Sequence, residues 1–235
     1  MRAGIFYTVD RSSVVSNAIR NVSDGLWSHC GMTFRCSRKF LESIADGRKR
    51  IPLAPGVELA ARTVARSLMS AAIVPDTTSF LFESRAERDA ATNRTGVRGP
   101  VPLSELDIWQ AELPEKRAYA LQQIVLPKGA NADELGLCAF GICAWASRNV
   151  SYAPLQLWWN YVGFRAGRGV PLGRRTRDKW TCVEMVVRAL PPWFSVPSLG
   201  LGDVLYDEYA PSSRRLPKIG LYELIERSNC ELSRQ

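Results

Sequence analysis

"GLWSHCGMTF", residues 25–34, alternates its side chains as a strand with one buried face requires. Cys30, Met32 and Phe34 fall on one face, and Trp27, His29, Gly31 and Thr33 fall on the other. The first face is apolar and belongs in a core. The second carries the only histidine of the chain and turns it away from that core. A sheet with such a face needs helices to cover it, so the flanking segments decide the fold class.

Upstream, "GIFYTV" (4–9) is another β-rich run. "SSVVSNAIRNV" (12–22) follows with Val14, Val15, Ala18, Ile19 and Val22 at helical spacing and Ser12 or Ser13 as cap. Downstream, residues 37–53 are polar and basic, and "GVELAARTVARSLMSAAIV" (56–74) reads as a helix ending before Pro75. The stretch of about 37–75 is thus a helical insertion between strands. "TSFLFES" (78–84) is the next strand, with Phe80 and Phe82 on one face and Leu81 and Glu83 on the other.

The turn-rich "NRTGVRGPVPLSEL" leads to a short strand expected at "DIWQAEL" (107–113), and Pro114 is expected to open a helix through about Val125. "NADELGLCAFGICAWASRNV" (131–150) is a helix apolar enough to be central, with Cys138 and Cys143 as small buried residues. Residues 151–177 read as a loop or lid. Residues 193–235, rich in proline, read as an extended C-terminal arm that wraps the domain or docks on a protein partner. The expected organisation is one domain over 1–192 followed by that arm.

With 235 residues and 46% hydrophobic content, the chain can bury an ordinary core without a disulfide scaffold. The apolar run near Met1 is too short for a signal-peptide core or a membrane span, so neither an export signal nor a transmembrane segment is expected. The six cysteines form no C-x-x-C pair and have one histidine for company, which argues against a zinc site and for free thiols in a reducing compartment. No metal or organic cofactor is expected. The formal charge of +8 is dispersed over short clusters such as "RKR" (48–50) and "GRRTR" (173–177), a solvated surface rather than a specific nucleic-acid footprint.

"DKWTCVEMVVRALPP" (178–192) carries the chemistry. Val183, Val186, Val187 and Leu190 lie at i, i+3, i+4 and i+7, which starts a helix at about Thr181 or Cys182 and puts Cys182 in its first turn. Unpaired N–H groups and the helix dipole there favour the thiolate, the reactive form. The sole candidate base of histidine type is His29, and Glu83, facing outward from its own strand, could orient the imidazole. Glu184, also in the first turn, suits the dipole better than an acid–base role.

A strand with "SHCGM", a later strand "FLFES" followed by "TGVRGPVPLSEL", an apolar helix and then "WTCVEMVVRAL" resembles the circularly permuted NlpC-type papain-like hydrolases. In those proteins the histidine precedes the cysteine, and the lecithin retinol acyltransferase-like proteins are permuted relatives. The resemblance covers about residues 4–190 outside the helical insertion. It implies an α+β papain-like domain, an antiparallel sheet packed on helices, with Cys182 as nucleophile, His29 as general base and Glu83 as the residue orienting it. It also makes Tyr152, in "VSYAPLQLW", and Trp180, two residues before the cysteine, candidates for substrate contact. The family commonly has "CSELV" at the nucleophile; this chain keeps Glu184 but has Val183 in place of the serine. The implied activity is cysteine-dependent cleavage of an amide in bacterial cell-wall peptides, such as phage tail or virion components perform. Two alternatives stand beside it: a lipid acyl hydrolase or acyltransferase, and a non-catalytic structural protein of a virion. The expected location is the cytoplasm or a phage virion.

Overall fold

Arg2–Asp10 (β1) is buried almost throughout, with Ile5 and Tyr7 in one apolar cluster and Phe6 in another. A strand buried on both faces belongs inside a sheet. It pairs antiparallel with His29–Ser37 (β2) on one side and Arg117–Gln123 (β5) on the other. Thr77–Arg85 (β3) pairs with β2, and Gly96–Pro102 (β4) with β3, so the sheet runs β4-β3-β2-β1-β5 with every neighbour antiparallel. The helices among the described residues are Val14–Ser23 (α1), Arg38–Ala45 (α2), Pro55–Met69 (α3), Ser104–Glu112 (α4), Ala132–Asn149 (α5) and Cys182–Ala189 (α6). Ser151–Tyr152 (β6) and Lys179–Trp180 (β7) form a short parallel pair. The architecture comes from a computed structural model that describes residues 1–23, 27–70, 76–86, 94–124, 131–154 and 178–190. It is α+β, an antiparallel sheet packed on helices.

The larger cluster joins Cys30, Met32 and Phe34 of β2 and Phe80 and Phe82 of β3 to Phe140 of α5 and Met185 and Val186 of α6. The rings of Phe34, Phe80, Phe82 and Phe140 meet at centroid distances between 5.7 and 6.2 Å, mostly edge to face, the arrangement their quadrupoles favour. On the opposite face, Phe6, Leu81 and Val101 pack with Leu106 of α4. The helical insertion is α2 and α3. Ser37 caps α2 by accepting from the Phe40 N–H, and Leu41, Ile44, Ala61 and Ala65 are buried in the same cluster as the sheet. These helices complete the core.

Several local expectations are corrected. "DIWQAEL" lies largely in α4, not a strand: Glu105 and Asp107 sit in its first turn, where the dipole favours acids, and Leu106 is its buried residue. The strand of this region is β4, whose glycines and prolines suggest turns yet suit an edge, where missing N–H donors are tolerated. Residues after Pro114 form β5 instead of a helix, because pairing along β1 satisfies a backbone edge and overrides local helical preference. The first β2 residue is His29, and α3 ends at Met69 rather than residue 74. α1 forms where expected, but Val14 is 84% exposed and the polar Ser16 is buried instead, its Oγ accepting from the Asp10 N–H and bonded to Ser28. Cys143 is buried, whereas Cys138 is only partly so. The proposed arm and all but the ends of the proposed lid lie outside the described residues.

Gly31 ties this packing to the histidine. It stands opposite both Phe6 and Glu83, and a Cβ there would come within 2.3 Å of Phe6 Cε1 and 2.5 Å of the Phe82 carbonyl oxygen. The Phe6 ring that uses this space reaches the His29 ring edge-on, 6.2 Å between centroids. Gly31→Ala is therefore expected to cost about 1–3 kcal/mol of stability through overpacking, read as a lower denaturant midpoint at unchanged m-value. A stability equal to wild type would show that Phe6 can move aside freely.

Candidate active site

The helix that carries Cys182 begins at a reciprocal cap. The Thr181 N–H donates to Glu184 Oε2 at 2.8 Å, and the Glu184 N–H donates to Thr181 Oγ1 at 3.3 Å. This capping box fixes Cys182 as the first residue of α6 and consumes the N–H groups of residues 181 and 184. The N–H groups of Cys182 and Val183 are outside it and remain at the positive end of the dipole. Glu184 thus has a defined structural role, and "TCVE" held its signal: a hydroxyl residue followed three places later by a glutamate.

The lead-in to the helix is pinned from two directions. Ser84 Oγ, fully buried on β3, donates to the Trp180 carbonyl at 3.0 Å, and the Ala153 N–H donates to the same carbonyl at 3.3 Å. The Trp180 ring is buried, 5.9 Å from Trp145 and with the Arg188 guanidinium 5.1 Å from its centroid. Tyr152 is buried beside Cys182, whose charge, with those of Cys30 and Glu184, adds to burial in pushing the phenol pKa up. Both residues named for substrate contact are thus buried, Tyr152 close to Cys182 and Trp180 in the strand that leads into its helix.

His29, as the first residue of β2, sits at the end of the sheet, where a group on the helical side can reach it. Its Nε2 lies 3.3 Å from Glu83 Oε2. Glu83 faces the same side because it pairs with Gly31, two residues along β2 from His29. With Nε2 engaged by the carboxylate, Nδ1 is the nitrogen left for Cys182. The expected trio of Cys182, His29 and Glu83 is brought together.

The electrostatics of the three are mutual. Burial alone would lower the His29 pKa, but charge interaction and a hydrogen bond with Cys182, reinforced by Glu83, lift it from 6.5 to about 9. The Cys182 thiol is held well below its ordinary value, first by a hydrogen bond from the Cys30 side chain, against the opposing effect of burial, and then by the charge and hydrogen bond of His29. The Cys30 N–H adds a further donor to the same sulfur. Glu83 is 2% exposed, and burial works to raise its pKa; His29 and Arg85 overcome this and hold it below the usual carboxylate value. The other thiols move the opposite way: burial raises Cys143, raises Cys36 to about 11 and, with the neighbouring Glu134, raises Cys138. Among the described cysteines, Cys182 is the one whose pKa is lowered, the direction that favours the thiolate.

Cys30 was legible only as a core residue. Its strand neighbour His29 looks to the other face, yet both serve one sulfur because α6 begins beside the first residues of that strand. Arg85, whose Nε is 2.8 Å from Glu83 Oε1, has a modest sequence signal, being two residues beyond Glu83 on the same face. Ser28, the neighbour of His29 in the chain, is occupied with the Thr8 carbonyl and Ser16. Among the described residues no group of three His, Cys, Asp or Glu side chains is arranged to hold a metal ion, and no helix is long and apolar enough to cross a membrane.

Fold and site together define an α+β protein with a buried cysteine–histidine–carboxylate constellation. No family model, curated protein or solved structure matches the chain.

Proposed function

We propose that this protein is a cysteine hydrolase of the permuted papain-like kind, cleaving an amide in bacterial cell-wall peptides. The observation that supports it is the join of three elements at one point: a cysteine in the first turn of a helix, an imidazole raised to about 9 beside it, and a buried carboxylate on the far imidazole nitrogen. The thiolate attacks the carbonyl carbon, and the oxyanion that forms is met by the N–H groups of Cys182 and Val183. Imidazolium gives its proton to the leaving amine, leaving a thioester. Water then loses a proton to neutral His29 as it attacks the thioester, and departure of the acid restores the thiolate and the imidazolium. The histidine-before-cysteine order supports the permuted arrangement, and the cell-wall peptide is chosen from the sequence resemblance.

The ion pair exists between the low Cys182 value and the His29 value of about 9. Hydrolysis should rise as pH climbs through the first, when the thiol loses its proton, and fall as pH climbs through the second, when the acid for the leaving amine is lost. Iodoacetamide at about pH 6 should modify Cys182 well ahead of Cys138, and His29→Ala should remove that lead. Digested peptidoglycan should show new peptide ends by mass spectrometry. Equal labelling of Cys182 and Cys138 would falsify the activated thiolate. Activated labelling with intact peptidoglycan, but with cleavage of acyl lipids, would overturn the substrate and keep the mechanism.

A further inference from the structure

Resting on that reading, we propose that Arg85 is a positioning residue that sets the ionisation of Cys182 and His29 through Glu83. The carboxylate has two oxygens and two different partners: Oε2 meets His29 Nε2 at 3.3 Å, and Oε1 meets Arg85 Nε at 2.8 Å. Holding both oxygens fixes the carboxylate plane, which fixes the line along which Oε2 addresses the imidazole. Arg85 also supplies the cation that a carboxylate only 2% exposed requires if it is to remain ionised.

A second guanidinium is nearby but differently engaged. A shift in the β3–β4 register between Leu81 and Glu83 aligns Arg98 with Glu83, and Gly99, at φ 137°, occupies the irregularity. Arg98 Nη1 is 3.8 Å from Glu83 Oε1, beyond hydrogen-bond range, while its Nη2 donates to Glu105 at 2.9 Å. Arg98 adds charge to the neighbourhood; Arg85 makes the directed contact. Because Arg85 is 31% exposed, shortening it leaves a solvent-accessible gap instead of a core cavity.

The sign of the effect is the same for both consequences of removing it. Loss of a cation raises the thiol pKa directly. A carboxylate that takes up a proton more readily also weakens the imidazolium, which raises the thiol pKa again. The test uses the full chain as wild type, Arg85→Gln and Arg85→Lys, with iodoacetamide labelling of Cys182 followed by peptide mass spectrometry across pH. Arg85→Gln is expected to label about tenfold more slowly on the rising limb, which moves to higher pH, and Arg85→Lys, keeping charge but losing the fork, about threefold more slowly. A glutamine profile superimposed on wild type overturns the role of Arg85 while leaving the thiolate in place. A wild type in which Cys182 labels no faster than Cys138 at about pH 6 overturns the hydrolase reading and this role together. If the glutamine chain does not fold, the lysine profile decides by the same criterion.

Discussion

Cys182→Ala is expected to reduce cleavage of peptidoglycan peptides by about 10⁴-fold or more, to the level of water attack assisted only by binding and the remaining N–H donors. In the proposed mechanism each step after substrate binding passes through this sulfur, which attacks the carbonyl carbon and carries the acyl group. Its negative charge is also the largest favourable influence raising the His29 pKa. No neighbour can substitute: Cys30, though bonded to it, has its own pKa pushed upward by burial and by Cys182, and is fully buried. The fold should survive, because only a small side chain is lost from a first-turn position whose cap is made by Thr181 and Glu184. The check is kcat/KM together with thermal unfolding. Retention of more than about a tenth of wild-type activity in a folded variant would rule out Cys182 as nucleophile.

Glu83→Gln should lower kcat/KM by about 10²- to 10⁴-fold while leaving Cys182 in place. Glutamine matches the shape of the carboxylate but not its charge, so the imidazolium loses its anion and Arg85 is left facing an amide. His29 is the only histidine in the chain, and its imidazole resonances therefore titrate without overlap. The wild-type midpoint should lie at about 9, and the variant's should lie lower, because one of the two groups that raise it has gone neutral. An unchanged midpoint in a folded Glu83→Gln chain would mean that Glu83 supports the sheet without serving the site.

How much the residues disclose in advance depends on how local each interaction is. Alternation along a strand separated Cys30 from His29 and Phe82 from Glu83, since facing is fixed by the pleat. Helical spacing located the start of α6, and Val186 and Leu190 are buried as that spacing requires. α4 and β5 could not be assigned in the same way. Their identities depend on the open edge of β1 and on Leu106 finding a place against Phe6 and Leu81, both of which are distant in sequence. The contribution of Cys30 to the Cys182 sulfur and that of Arg85 to Glu83 were hidden for a related reason. Each depends on where one element ends relative to another, which no periodicity encodes.

Adjacent residues of β3 hold the two halves of the site: Glu83 addresses the His29 imidazole on one face, and Ser84 holds the Trp180 carbonyl on the other. A slip of one residue in the pairing of β3 would exchange their faces. The imidazole would then lose its anion and the start of α6 its anchor in a single error. A chain with β3 out of register would carry an ordinary, slow thiol in place of a thiolate. On the proposed reading, reactivity at Cys182 thus serves as a receipt for correct assembly, withheld until strands far apart in the chain have found their places.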